Sequence, residues 1–129
     1  MIPPILDHTA LAALVKGHSY LSRFACDLTE YADEMVSTPV ICFAAAEAGR
    51  AGTAEHVLQF CRIDIEDLRA SDAATVGQLV SEGLDWPVAH AVVAGSPSPE
   101  WPSGRTVITA IPHRYAGLGV ELIPLSRLN

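Results

Sequence analysis

Two aspartates in this sequence stand where carboxylates could hold a metal ion. Asp7 ends the apolar stretch Ile2 to Leu6, which has the length of a strand, and an apolar segment with helical spacing follows at once. Asp85 precedes a second helix start, with Pro87 in its first turn. Ligands in open α/β sheets bind at the carboxyl ends of strands, where Asp7 is expected to lie. An aspartate there is also a common N-cap of the following helix, so both interpretations stay open.

The elements that must position these aspartates alternate along the chain. Apolar spacing predicts an amphipathic helix from Ser19 to Met35, and the run from Thr38 to Ala48 contains a strand-to-helix turn before Gly49. Further strands are predicted at 62–65, 105–110 and 119–124, and further helices at 53–60 with Thr53 as cap, from Ser71 to Gly83, and from Asp85 onward.

This alternation predicts an α/β fold, a three-layer α/β/α sandwich with a mostly parallel central sheet, because right-handed crossovers place helices on both faces. The chain of 129 residues is 50% hydrophobic, which fits a single domain spanning residues 1–129. Asp7, the residues after Thr109 and the start of the Asp85 helix would then meet at one edge of the sheet. One metal site could form there.

Charge and composition restrict the possible partners. Fifteen acids oppose eight bases, for a formal charge of -7, and Lys16 is the only lysine, so non-specific nucleic-acid binding is not expected. An acidic total does not exclude a nuclease, since metal sites are built from carboxylates. No apolar stretch reaches the roughly 18 residues of a membrane span, and no signal peptide is recognised.

The three cysteines, Cys26, Cys42 and Cys61, are widely separated and lie in apolar patterns. We expect buried free thiols and therefore a cytoplasmic location. The five histidines show no zinc-ligand spacing, and no glycine-rich nucleotide motif occurs. A receiver-like signalling domain is disfavoured, because Asp7 has no acidic neighbour and no lysine lies near the carboxyl end.

The order and spacing of several pieces resemble the PIN-domain family, whose members include VapC-type toxin ribonucleases. The pieces cover nearly the whole chain: Leu-Asp-x-Thr-Ala-Leu from Leu6 to Leu11, Phe43-Ala44-Ala45-Ala46-Glu47, Asp85-x-x-x-Ala89, Val107 to Ala110 and Gly119 to Pro124. The resemblance implies Mg²⁺ or Mn²⁺ held by three or four acids, and phosphodiester cleavage of RNA by a metal-activated water.

Carried over to this chain, the resemblance implies catalytic roles for Asp7, Asp85, Glu47 and Thr9. Asp7, Asp85 and Glu47 would be the metal ligands, and Thr9 would be the small hydroxyl residue beside Asp7. Two departures weaken the match. The family's second acid falls about two residues before Glu47, a turn of roughly 200° on a helix, and Ile111 stands where a fourth acid is expected.

The sequence therefore predicts a PIN-like protein with an incomplete metal site, non-catalytic or weakly active. The alternative is an active Mg²⁺- or Mn²⁺-dependent endoribonuclease, the toxin of a toxin–antitoxin pair. Expected partners are a second copy of the chain and an antitoxin or other protein, with RNA only if the site is active and no membrane.

Overall fold

The fold is known from a computed structural model that describes residues 2–26, 35–60 and 62–128. Five strands form one parallel sheet in the order β3-β2-β1-β4-β5. The strands are β1 (Ile5–Leu6), β2 (Val36–Pro39), β3 (Ile63–Glu66), β4 (Val107–Thr109) and β5 (Leu122–Pro124). The helices are α1 (His8–Val15), α2 (Ser19–Cys26), α3 (Val40–Gly49), α4 (Thr53–Val57), α5 (Ala70–Ser81) and α6 (Trp86–Gly95). Two short 3₁₀ turns follow β4 and β5, at Pro112–Tyr115 and Leu125–Arg127.

The strand order places a switch of direction beside the central strand. The chain moves outward from β1 to β2 and β3, then returns across the sheet to β4 and β5. Ile5 of β1 lies in register with Ser37 of β2 on one side and with Val107 of β4 on the other. A crevice forms at the carboxyl ends of strands where the connections diverge, so the ends of β1 and β4 are where this fold offers a site.

Alternating side chains of the strands divide the apolar interior into two cores. Leu6 and Ile108 pack with Leu11 of α1 on one face, whereas Ile5 and Val107 pack with Val88 of α6 on the other. Successive strand residues point to opposite faces, so β1, β4 and β5 each supply both cores. The helices therefore cover the sheet on both sides, and the predicted α/β sandwich is confirmed.

Several predicted boundaries are wrong by a few residues. The helix predicted from Ser19 to Met35 cannot extend to Met35, which lies outside any helix directly before β2, and residues 27–34 are outside the described part. Thr53 is the first residue of α4 rather than its cap, since Gly52 takes the N-cap position in a left-handed conformation with φ of 92°. At α5 the N-cap position belongs to Arg69, and Ser71 lies inside the helix. Neighbouring residues can each serve as a helix cap, so the sequence alone does not fix the first residue of a helix to within one or two positions.

Cys42 is a fully buried free thiol whose Sγ donates to the Pro87 carbonyl oxygen at 3.2 Å. Burial, with the charge of Asp7, raises the pKa of this thiol well above its usual range. The side chains of Cys26 and Cys61 lie outside the described residues. Within the described ranges, none of the helices has the length and apolar character needed to traverse a membrane.

Candidate functional site

Asp7 lies at the switch point between β1 and β4 and is completely buried. It is the N-cap of α1, and its Oδ1 accepts the backbone N–H groups of Thr9 and Ala10, both at 2.9 Å. The Thr9 hydroxyl also donates to Oδ1, at 2.6 Å. These bonds satisfy orphan N–H groups in the first turn of the helix. The capping role and the position at the carboxyl edge are thus properties of the same side chain.

The second oxygen of Asp7 is bonded to Tyr115. The Tyr115 hydroxyl donates to Asp7 Oδ2 at 2.8 Å, and the tyrosine is 2% exposed. Burial raises the pKa of Tyr115 far above its usual value, and the negative charge of Asp7 raises it further. The phenol therefore keeps its proton and acts as a donor to the carboxylate.

Thr9 connects the start of α1 to the end of β4. Its hydroxyl accepts the Ala110 N–H at 2.9 Å and lies 3.3 Å from the Thr109 hydroxyl. Thr109 is fully buried, and its hydroxyl accepts the Ile111 N–H at 3.0 Å. These contacts fix the backbone that leads from β4 into the turn carrying Tyr115.

Asp85 is held by the residue next to Tyr115. Arg114 donates from Nη1 to Asp85 Oδ2 at 3.2 Å, with the two side chains 57% and 60% exposed. Asp85 occupies the N-cap position of α6, although its side chain makes no capping bond. The 3₁₀ turn at residues 112–115 therefore contacts both Asp7 and Asp85 through consecutive residues, which brings the two aspartates to one region of the sheet edge.

The remaining positions named from the sequence lie in different surroundings. Glu47 bonds to the start of α4, with Oε2 accepting the Gly52 N–H at 3.0 Å and Oε1 accepting the Ala54 N–H at 2.9 Å. These backbone bonds lower the pKa of Glu47. Ile111 is half-buried and packs against the core on the α6 side. Both oxygens of Glu47 are thus committed to capping a helix.

The oxygen atoms around Asp7 and Asp85 decide whether Mg²⁺ or Mn²⁺ could bind there. A hard divalent cation takes several oxygen ligands, and carboxylates supply most of the compensating charge. Here Asp7 accepts four hydrogen bonds, Asp85 is paired with Arg114, and Ile111 offers no oxygen. Among the described residues no group of three or more His, Cys, Asp or Glu side chains has the arrangement of a metal site. This arrangement does not fit a divalent cation.

The sequence places the residues after Thr109 at the sheet edge, but it does not pair Tyr115 with Asp7. The available signal was a single aromatic residue in the turn between Pro112 and Gly117. A buried tyrosine needs a partner for its hydroxyl.

Comparisons with known proteins identify the fold. No family model matches the chain, and no curated protein sequence does. One chain in the crystal structure of VapBC2 from Rickettsia felis bound to a DNA fragment from their promoter has 15% identity and a TM-score of 0.61, with 95% of this chain and 98% of that chain covered. One chain in the crystal structure of DNA-bound VapBC from Salmonella typhimurium has 14% identity and a TM-score of 0.62, with 96% and 98% covered. The protein therefore has the fold of a PIN/VapC-like domain.

Proposed function

We propose that this protein is a PIN-like relative of VapC-type toxins in which side chains of the chain itself replace the metal ion, leaving it non-catalytic or weakly active on RNA. The observation that carries the proposal is the Asp7 carboxylate, which accepts four hydrogen bonds and is fully buried. A metal ion at Asp7 would compete with Tyr115 for Oδ2 and with the first turn of α1 for Oδ1. Losing either contact would leave buried polar groups without partners, at a cost of about 1–3 kcal/mol each.

The partner in this proposal is an antitoxin protein. The support is the likeness to chains of VapBC complexes, together with apolar surface available for contact. A groove of about 330 Å³ has mainly apolar walls, including Leu21, Ile108, Ile123 and Leu128. Tyr20 and Ile2 also line it, at 37% and 49% exposure. Exposed apolar patches of this kind mark protein-binding surfaces.

A homodimer in the cytoplasm is the assembly we propose. Leu58 and Trp86 are 65% and 55% exposed, so helical faces retain apolar area that a second copy could cover. Light scattering coupled to size-exclusion chromatography tests this directly. A mass of twice 13.7 kDa is expected, reduced by Trp86→Ala or Leu58→Ser, and a single-chain mass at all concentrations would contradict it.

Cleavage of labelled single-stranded RNA in Mg²⁺ or Mn²⁺ tests the proposed lack of activity. Asp85→Asn is the comparison variant, because Asp85 is exposed and its loss should leave the fold intact. The expected result is equal cleavage, at background level, by the unaltered chain and the variant. Metal-dependent cleavage that Asp85→Asn abolishes would contradict the proposal.

The second candidate function is the active Mg²⁺- or Mn²⁺-dependent endoribonuclease, with Asp7, Asp85 and Glu47 as ligands and Thr9 in support. It is favoured by one observation, the contact of Asp7 and Asp85 with the same turn. It requires the 112–115 turn to move and Glu47 to leave the start of α4. Loss of metal-dependent cleavage in both Asp85→Asn and Glu47→Gln would support it over the first function.

A further inference from the structure

A second polar region lies on the α5 and α6 side of the sheet, apart from the aspartates at the switch point. It is a cavity of about 530 Å³ lined by the end of β3, one face of α5, the second half of α6 and the loop after α6. Its lining includes none of Asp7, Thr9, Asp85 or Tyr115. The volume falls within the range of roughly 300–1,000 Å³ typical of small-molecule sites.

His90 brings a largely buried imidazole to the lining of this cavity. The side chain is 3% exposed, and Nδ1 accepts the Ile41 N–H at 3.3 Å. Because Nδ1 is an acceptor, the proton of the neutral ring is on Nε2. Burial lowers the pKa of His90, although the nearby charges of Glu66 and Asp72 act to raise it, so the ring is neutral near pH 7. Across residues 2–26, 35–60 and 62–128, no hydrogen bond to Nε2 is found, so this N–H is available to an acceptor in the cavity that His90 lines.

Two charged residues of the lining, Arg105 and Glu66, already neutralise each other. Arg105 donates from Nη1 and Nη2 to the two oxygens of Glu66, at 2.5 and 2.9 Å, and from Nε and Nη2 to the Ala94 carbonyl oxygen. Its guanidinium also stacks 5.5 Å from the centre of the Trp101 ring. This pair is a fixed wall of the cavity, because breaking it would leave a buried cation unpaired.

The other charged residues of the lining are one cation, Arg69, and three acids, Asp67, Asp72 and Glu100. Arg69 is the N-cap of α5, and Asp72 lies in the first turn of that helix. Asp72 is near enough to His90 for its charge to act on the imidazole. A guanidinium, an N–H donor and a carboxylate therefore border the same space, and Leu79, Val93 and Pro97 add apolar surface.

We propose that this cavity binds a free α-amino acid with an apolar side chain. The ligand carboxylate would accept the His90 Nε2–H and pair with Arg69, the ammonium would bind Asp72, and the side chain would contact Leu79, Val93 and Pro97. A ligand of a single charge leaves either Arg69 or Asp72 unused. A metal ion is a poor alternative, because the acids and histidine of this lining do not form a metal-binding group in the described part of the chain.

Calorimetric titration of the whole chain with leucine, valine and phenylalanine tests the proposal. Two matched probes each lack one charge of leucine: isoamylamine has no carboxylate, and 4-methylpentanoate has no ammonium. We expect at least one of the three amino acids to bind and, if leucine does, each matched probe to bind about tenfold more weakly, the loss of one charge-assisted contact. Asp72→Asn and Arg69→Gln should each weaken the amino acid by a similar factor.

Asp64→Asn is the control, since Asp64 is exposed on β3 and does not line the cavity. Circular dichroism verifies that each variant is folded, and NMR chemical shifts verify binding where heats are small. Three results would overturn the proposal: no binding of any of the three amino acids, equal binding of the single-charge probes, or unchanged binding in folded Asp72→Asn and Arg69→Gln.

Discussion

The Tyr115 hydroxyl donates a 2.8 Å hydrogen bond to the buried Asp7 carboxylate across 108 positions of sequence. Arg114, the preceding residue, pairs with Asp85. One short turn after β4 thus supplies a neutral donor to the buried aspartate and a cation to the exposed one. The family resemblance implies both aspartates as metal ligands, so a metal ion there would compete with Tyr115 and Arg114.

Tyr115→Phe removes the hydroxyl from this bond and leaves one oxygen of a buried carboxylate without its donor. We expect a loss of about 1.5–3 kcal/mol in the free energy of unfolding, the usual range for a hydrogen bond to a charged group. Urea denaturation measures it. Ser81→Ala is the control, because it also removes a hydroxyl that donates one hydrogen bond, but at an exposed position, and it should change stability by no more than about 0.5 kcal/mol. Equal effects of the two substitutions would contradict the role assigned to Tyr115.

Asp7→Asn and Asp85→Asn should differ sharply in their effect on stability. Asp7 holds four hydrogen bonds in a buried position, and an amide cannot accept on both of its polar atoms, so a loss of about 2 kcal/mol or more is expected. Asp85 takes part in an exposed ion pair, where changes stay below about 1 kcal/mol. Thermal unfolding of both variants compares them. A larger loss of stability in Asp85→Asn than in Asp7→Asn would contradict the stabilising role assigned to the buried Asp7 carboxylate.

Much of the fold follows from the sequence because its signals are local. Apolar runs of strand length, separated by segments with helical spacing, predicted the parallel sheet. Because Asp7 directly follows the first of these runs, its position at the carboxyl edge was also predicted. Pro87 marked the start of α6. Each of these signals depends on residues within one or two turns of each other.

The contacts that define the site are long-range, and sequence alone could not supply them. The partner of Asp7 is a tyrosine in a turn after the fourth strand, and Glu47 is committed to backbone groups of α4 beyond an intervening turn. The pairing of Glu66 with Arg105 spans 39 positions. Such partners are set by strand order and helix placement, which pattern arguments fix only coarsely.

Stability should decline in acid through Glu66. Burial raises the pKa of Glu66, but the hydrogen bonds and charge of Arg105 and a hydrogen bond from Ser37 outweigh it, so the pKa is lowered. The unfolded chain therefore takes up the proton first, and the stabilisation present above about pH 4.3 is lost as pH falls through the lower folded value.

Glu66→Gln isolates this contribution. At about pH 7 it should cost roughly 3 kcal/mol, since Arg105 is left buried without its counter-ion. The difference from the unaltered chain should shrink once the pH falls below the folded pKa of Glu66, where the native carboxyl is also protonated. Urea unfolding across this range provides the measurement, and a difference that does not vary with pH would rule out the ion pair as its source.

Ile111→Asp combined with Tyr115→Phe should move the site toward a metal centre. The first substitution adds a carboxylate at the expected fourth-acid position, and the second frees an oxygen of Asp7. We expect Mn²⁺ affinity at least about tenfold above that of either single variant, because an added carboxylate supplies both a ligand and charge. Calorimetry measures the affinity. If the double variant is folded and gains none, residue 111 does not face Asp7 and Asp85 as proposed.

Calorimetric titration of the unaltered chain with Mn²⁺, repeated on Tyr115→Phe and Asp85→Asn, shows whether Tyr115 and Arg114 keep a metal ion from the two aspartates. If protein groups occupy the aspartates, the unaltered chain shows no binding tighter than the millimolar range, and removing the tyrosine hydroxyl raises the affinity. Micromolar binding by the unaltered chain that Asp85→Asn abolishes would contradict the account.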